Sequence, residues 1–467
     1  MATTSTMAVV SPELFGLGGL ALGGLFLWLS LRANRRKRLI DNLPTCKTTG
    51  VFIGLVELKG TAEAEVPLRS FLAESPCVYY RWHVEEHWSR TTTETYTDSK
   101  GRTQTRTRHE SGWTTVAQGG DQAVFYLRDD CGVIQIDPHQ AEVQADPVFS
   151  REVGRGDPLY YGKGPPGSVM HSDEKRRFTE QAVPLHAPLY VMGHARLRQD
   201  IVAPQIAYDR DSPMYLISTR TEKQIGRGLA AQFWVLGVLA VVAMAGGWVV
   251  ADHAREAIRP RTATWPVRQD AEVGDVELKL IGIAAAAVGA WVLGWIWMAY
   301  NSMQDLRQRV RQSWSNVDVQ LKRRADLIPS LVEIVRGYRD YEQKVHEQVA
   351  LLRSQARVTA PGEPGADPHG CLHSLLAIQE AYPDLKANAQ FLKLQEALVD
   401  TEQRIALARE YFNDIAAFYN ARLQVIPDRF VCGLARFKPQ PFITAEDFER
   451  AVVRVRLADA TSAPAQA

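Results

Sequence analysis

Three stretches of this sequence are apolar over the length needed to cross a lipid bilayer, and they constrain everything between and after them. Leu14 to Leu31, Leu229 to Ala251 and Leu280 to Tyr300 run almost without charge. A helix crosses the ~30 Å hydrocarbon layer in roughly 20 residues. The first run has no Lys or Arg before it, and Arg32, Arg35, Arg36, Lys37 and Arg38 follow it. A cleaved signal peptide has the opposite arrangement, so a retained anchor is expected. Gly19 and Gly23 form a G-x-x-x-G pair that lets another helix approach closely, and a homo-oligomer through these glycines is one expectation. Trp291, Trp295, Trp297 and Tyr300 crowd the end of the third run, as interfacial anchors do.

Three spans put the chain ends on opposite sides. With the N-terminus outside, the inner flanks 32–47, 213–228 and 301–316 together carry twelve Lys and Arg, against five in 252–279. The excess of positive charge on inner loops then predicts that both large polar regions face the cytoplasm, with 252–279 as an external loop.

At 467 residues, the chain is long enough for several structural units. Lys plus Arg is 54 and Asp plus Glu 53. That balance removes the electrostatic footprint of a general nucleic-acid binder, so no nucleic-acid partner is expected. The cysteines are Cys46, Cys77, Cys131, Cys371 and Cys432, no two closer than 31 positions. Zinc sites bring ligands in close pairs, which this spacing lacks. Reduced thiols are expected, with no metal and no cofactor.

Residues 39–228 read as β-rich. In Pro76 to Trp88, Val78, Tyr80, Trp82, Val84 and Trp88 fall on one face and Cys77, Tyr79, Arg81, His83, Glu85 and His87 on the other. Thr alternating with charge over Ser89 to Glu110, about the turn Asp98–Gly101, predicts a long solvated hairpin. A second hairpin is expected at Arg128–Gly132, between Val124–Leu127 and Val133–Ile136. On a strand His83 and His87 stand ~13 Å apart and cannot share a metal. Cys77, at the start of a strand, reads as packing rather than as a nucleophile.

Gly50–Val56, Pro67-Leu68, Ser75–Arg81, Gly132–Pro138 and Ala187–Ala195 together resemble the GIDE domain, which in its family lies between two membrane spans. Eukaryotic members are organelle-membrane ubiquitin ligases whose catalytic role belongs to a C-terminal RING domain. The resemblance implies a membrane-organising or ligase-like setting. It carries no catalytic residue over, because the Cys/His ligands of a RING are missing here.

From Ser302 the period becomes helical. Val310, Trp314, Val317, Leu321, Ile328, Leu331, Val335, Tyr338, Val345, Val349 and Leu352 step by three and four, predicting a long stalk helix over Gln304–Arg357 with a kink at Pro329. Pro361–Gly370 reads as a loop. A second long helix carries Phe391, Leu394, Leu398, Thr401, Ile405, Ala408, Phe412, Ile415 and Tyr419 and ends at Pro427. With a short helix at Leu372–Ala381 and a last one after Thr444, these predict an antiparallel four-helix bundle over 302–456, followed by a disordered tail, 457–467. Arg324 occupies a seam position. Either it snorkels or pairs with a carboxylate such as Asp326 or Glu333, or Lys322, Arg323 and Arg324 form a docking patch for an acidic partner or lipid head group.

Trp314–Pro329, Tyr382–Asn388, Thr401–Ala406 and Tyr419-Asn420 closely resemble the LemA family of bacterial membrane-anchored helical bundles, which have no established enzymatic activity. The expectation is therefore an α+β membrane protein of the bacterial inner membrane: a GIDE-like domain between transmembrane helices, joined to a LemA-like bundle. It would be a non-enzymatic scaffold that meets membrane lipids and other proteins. The alternatives are a ligase-like protein and a membrane ligand sensor.

Overall fold

The computed structural model describes residues 12–97, 103–198, 203–258, 269–337 and 389–443. It divides into two units, residues 1–302 and 303–467. Six α-helices lie among the described residues: α1 (Pro12–Asp41), α2 (Pro158–Gly162), α3 (Glu222–Ile258), α4 (Gln269–Gly337), α5 (Ala389–Arg422) and α6 (Asp428–Leu434). Leu14–Asp41, Glu222–Ala254 and Leu278–Leu327 are long and apolar enough to cross a membrane. They contain the three apolar runs.

In the first unit, α1 and α3 lie side by side, and glycine makes that possible. A Cβ added to Gly19 would stand 2.5 Å from the Gly247 Cα, and one added to Gly23 would stand 2.9 Å from the Ala240 carbonyl oxygen. The helix that approaches the glycine face is thus α3 of the same chain. Ser30 Oγ adds a 2.7 Å hydrogen bond to the Phe233 carbonyl. Trp291 packs against Gly237 and the rings of Phe233 and Trp234 on α3. Gly237 leaves room there that a side chain would fill.

Between α1 and α3 the chain forms two sheets. Five strands, β2 (Gly54–Glu63), β6 (Phe125–Arg128), β7 (Val133–Ile136), β12 (Pro204–Ala207) and β11 (Pro188–Leu197), close on themselves because β2 pairs with both β6 and β11. Strands β1 (Thr45–Cys46), β13 (Leu216–Ser218) and β8 (Glu142–Gln144) extend this barrel-like sheet. Val56, Leu58, Phe125, Leu127, Ile136, Val191 and Ile206 fill its interior. One cluster joins the sheet to the helix ends: Ile40 and Leu43 at the end of α1 and Ile225 in α3 pack on Tyr190, Met192 and Leu216.

The second sheet runs β3 (Leu68–Arg69), β4 (Pro76–Thr97), β10 (Ser172–Pro184), β9 (Pro147–Gly154), and β5 (Thr103–Gln122) also pairs with β4. The long hairpin is present as β4 and β5, paired from Tyr79↔Gln122 to Thr97↔Thr103 with one register shift between Val84 and Glu85. The second hairpin joins β6 to β7. The turn Asp98–Gly101 lies outside the described residues.

In the second unit, α4 runs through Pro329 without ending. Val310, Val317 and Leu321 of α4 are buried, as are Leu398, Thr401, Ile405, Phe412, Ile415 and Tyr419 of α5. The seam beyond Gly337, the loop Pro361–Gly370, the helices at Leu372–Ala381 and after Thr444, and the tail all lie outside the described residues. Of 252–279, expected as a loop, residues 252–258 instead continue α3 and 269–279 begin α4, while 259–268 lie outside the described residues.

Candidate functional site

Arg324 is 1% exposed, so its side chain points inward on α4. Its carboxylate partner is on the facing helix: Nη1 stands 3.5 Å from Oε1 of Glu402, rather than meeting Asp326 of its own helix. Glu333 lies among residues whose side chains are not described. Arg323 reaches Asp400 at 3.6 Å and keeps an exposed flank, and Lys322 is exposed. The three basic residues therefore divide, with Arg324 in the interior and Lys322 and Arg323 at the surface.

The β-unit holds a buried charged centre that the sequence reading missed. Glu86 and Arg176 are both fully buried, on β4 and β10. Arg176 donates from Nε (3.0 Å) and Nη2 (2.9 Å) to Oε2 of Glu86. Its remaining donors reach the carbonyls of Tyr160, Pro165 and Gly167. The guanidinium lies 3.9 Å from the centre of the Tyr160 ring. The Tyr160 and Ser172 hydroxyls donate to Oε1 of Glu86. Every donor of this guanidinium has an acceptor, and the loop after α2 is wrapped around it. The signal was available: Glu86 interrupts the inward face of β4 between Val84 and Trp88. Glu180, two turns of the pleat away on β10, accepts from the backbone N–H groups of Phe71, Leu72 and Ala73 and fixes the loop after β3.

Glu57, buried in β2, accepts from Thr45 Oγ1 and from the Tyr190 hydroxyl, each at 2.8 Å. Lys59 bridges it (3.1 Å) to Glu222 at the start of α3 (2.8 Å). Burial raises the Glu57 carboxyl above its ordinary range despite Lys59 and the Thr45 bond. Burial, and the nearby Glu57, also raise Tyr190, which keeps its proton and remains the donor.

Among the described residues, several groups of the kind that nucleophilic or metal chemistry uses have structural partners or are buried. Burial pushes the Cys77 thiol up to about 11, away from the thiolate that attacks. His87 Nδ1 lies 2.6 Å from Asp173, and both histidines sit on β4. Asp129, Asp130 and Cys131 bring ligand atoms within 4.8 Å of one another. Asp129, however, already accepts from Thr48 and from the N–H groups of Cys131 and Gly132. Lys47 holds Asp130 at 2.7 Å. This cluster locks the β6–β7 turn onto the segment after β1. A groove of 590 Å³ beside the hairpin is lined by Tyr79, Tyr80, Arg81, Asp121, Gln122 and His139, among others.

In the second unit two asparagines of α5 treat a neighbouring segment as a strand. Asn413 exchanges hydrogen bonds of 2.9 and 2.8 Å with the backbone of Ile443, and Asn420 does the same with Gln440.

Two family models match this chain. Residues 313–457 match the LemA family. Residues 93–251 match GIDE, described as an E3 ubiquitin ligase. One polypeptide carries both segments. Magnetosome protein MamQ of Magnetospirillum gryphiswaldense is 25% identical over 195 residues, covering 35% of this chain and 71% of the relative. Magnetosome protein MamQ 2 of Paramagnetospirillum magneticum is 23% identical over 171 residues, covering 30% of this chain and 63% of the relative. The chain thus spans about two thirds of the length of these relatives, and they match about a third of it.

Proposed function

We propose that this chain is a bacterial inner-membrane scaffold of the LemA type, without catalytic activity, that organises proteins at the membrane. The observation that carries the reading is the continuity of α4. One helix holds the apolar run Leu280–Tyr300 and the beginning of the segment that matches LemA. The likeness to magnetosome proteins supports a role in membrane organisation. The buried charges support it too, because Arg176, Glu86, Glu180 and Arg324 are committed to holding loops and helices together. In this reading the helical unit is a four-helix bundle, and both polar regions face the cytoplasm. Lys322 and Arg323 form the exposed part of a docking patch.

The test is crosslinking in native membranes followed by purification of the full chain and of a chain truncated after Ser302. Partners recovered with the full chain and lost with the truncation are expected. Equal recovery from both would remove the helical unit from the function. The GIDE match favours a second reading, a ligase-like protein. Elemental analysis showing about one or more zinc ions per chain, together with ubiquitin transfer by the purified protein, would establish that reading instead.

A further inference from the structure

One end of the helical unit carries an apolar surface that its own interior leaves uncovered. Val425 and Ile426, in the turn between α5 and α6, are 53% and 66% exposed. Phe430 and Leu434, one turn apart on α6, are 70% and 90% exposed. Residues four apart share a helix face, so these two form a single ridge. Among the described residues of this segment, 425–443, the exposed charges are basic. Arg429, Arg436 and Lys438 are exposed, whereas Asp428, the acidic residue of 425–443, is buried and paired with Arg422 at 2.9 Å.

The pairing of α4 with α5 says where this end lies. Arg324 meets Glu402, and the Trp314 ring meets Phe412. Tyr419 lies in the field of Arg307 and Arg311. Each step down the numbering of α4 is matched by a step up that of α5, so the helices are antiparallel. The end of α5 therefore lies beside the beginning of this unit's portion of α4, near Met303. In the sequence Met303 comes three residues after Tyr300, where the apolar run ends. By contrast, Arg324 is ~32 Å further along the helix from Met303. An apolar ridge flanked by basic side chains at the membrane-proximal end of a helical unit has the composition of a segment lying in the lipid–water interface.

We propose that α6 and the turn before it insert their exposed apolar side chains into the interfacial layer of the bilayer, with the neighbouring basic residues on head-group phosphates. This second, non-spanning attachment rests on the membrane-anchored reading above. It would hold the base of the helical unit against the surface from which α4 emerges.

The test places an environment-sensitive fluorescent amino acid at position 434, 430, 293 or 322 of the full chain, reconstituted in vesicles of phosphatidylethanolamine and phosphatidylglycerol. Labels at 434 and 430 should be quenched several-fold more by head-group nitroxide lipids than by aqueous iodide, and the label at 322 should show the reverse. Iodide quenching at 434 and 430 equal to that at 322 would put the ridge in water and overturn the proposal. Protection from both quenchers would also overturn it, by showing a protein cover. The label at 293, in the apolar run, should respond to deep nitroxides. Its failure to do so would overturn the anchored reading itself, and that outcome is distinct from a failure at 434 and 430 alone.

Discussion

Arg324 and Glu402 meet as an ion pair at 3.5 Å inside the helical unit, with side chains 1% and 11% exposed. Removing one partner takes a buried ion-pair contact from the other. Arg324→Met should cost about 3 kcal/mol, the lower end for a buried pair because the atoms stand 3.5 Å apart. The double change Arg324→Met with Glu402→Leu should recover most of that loss, as read by thermal unfolding of the detergent-solubilised chain. Glu57 makes a prediction of the opposite kind. Its carboxyl holds a proton more tightly folded than unfolded, so its contribution to stability is present in acid. That contribution falls as pH rises from the ordinary carboxylate range through the raised folded value. Glu57→Gln should abolish this decline. The melting temperature of the natural chain relative to that of the variant should therefore fall between about pH 4 and pH 7.

At the scale of elements, the sequence was legible where a pattern is local. Apolar runs marked α1, α3 and the part of α4 that is apolar enough to cross a membrane. Steps of three and four marked the buried seam of α4 and α5, and Thr–charge alternation marked the β4–β5 hairpin. Closure of the barrel-like sheet was not legible, because β2 and β11 come together only through the register Leu58↔Val191, far apart in the chain. The Glu86–Arg176 pair was hidden for the same reason, 90 positions apart. The α1–α3 pairing itself can be tested. The Gly16 and Ala251 Cβ positions stand 3.5 Å apart, within reach of a disulfide. Gly16→Cys with Ala251→Cys should crosslink within one chain on oxidation. A predominantly dimeric band on a non-reducing gel would assign the glycine face to a second copy instead.

For the whole molecule, the arithmetic of three spans makes a firm demand. If α1, α3 and α4 all cross the bilayer, the sheets and the helical unit face the same compartment, because two crossings separate them. A cytoplasm-active reporter fused at Ala467 and the same reporter inserted at the hairpin turn near Gly101 should both be active. Opposite outcomes would remove one crossing.

The tight meeting of α1 with α3 also has a consequence for how the chain is made. Gly19 and its partner Gly247 are separated by 228 residues. At ~5–20 residues per second of synthesis, the first helix spends roughly 10–50 s in the bilayer before the surface it must meet has left the ribosome. During that wait its glycine face has no α3 to pack against. The intervening sheets, whose β2 needs β11, cannot close until most of that stretch has emerged. Membrane assembly and sheet closure therefore finish late and nearly together, leaving a nascent chain whose first helix is anchored well before anything else is in place.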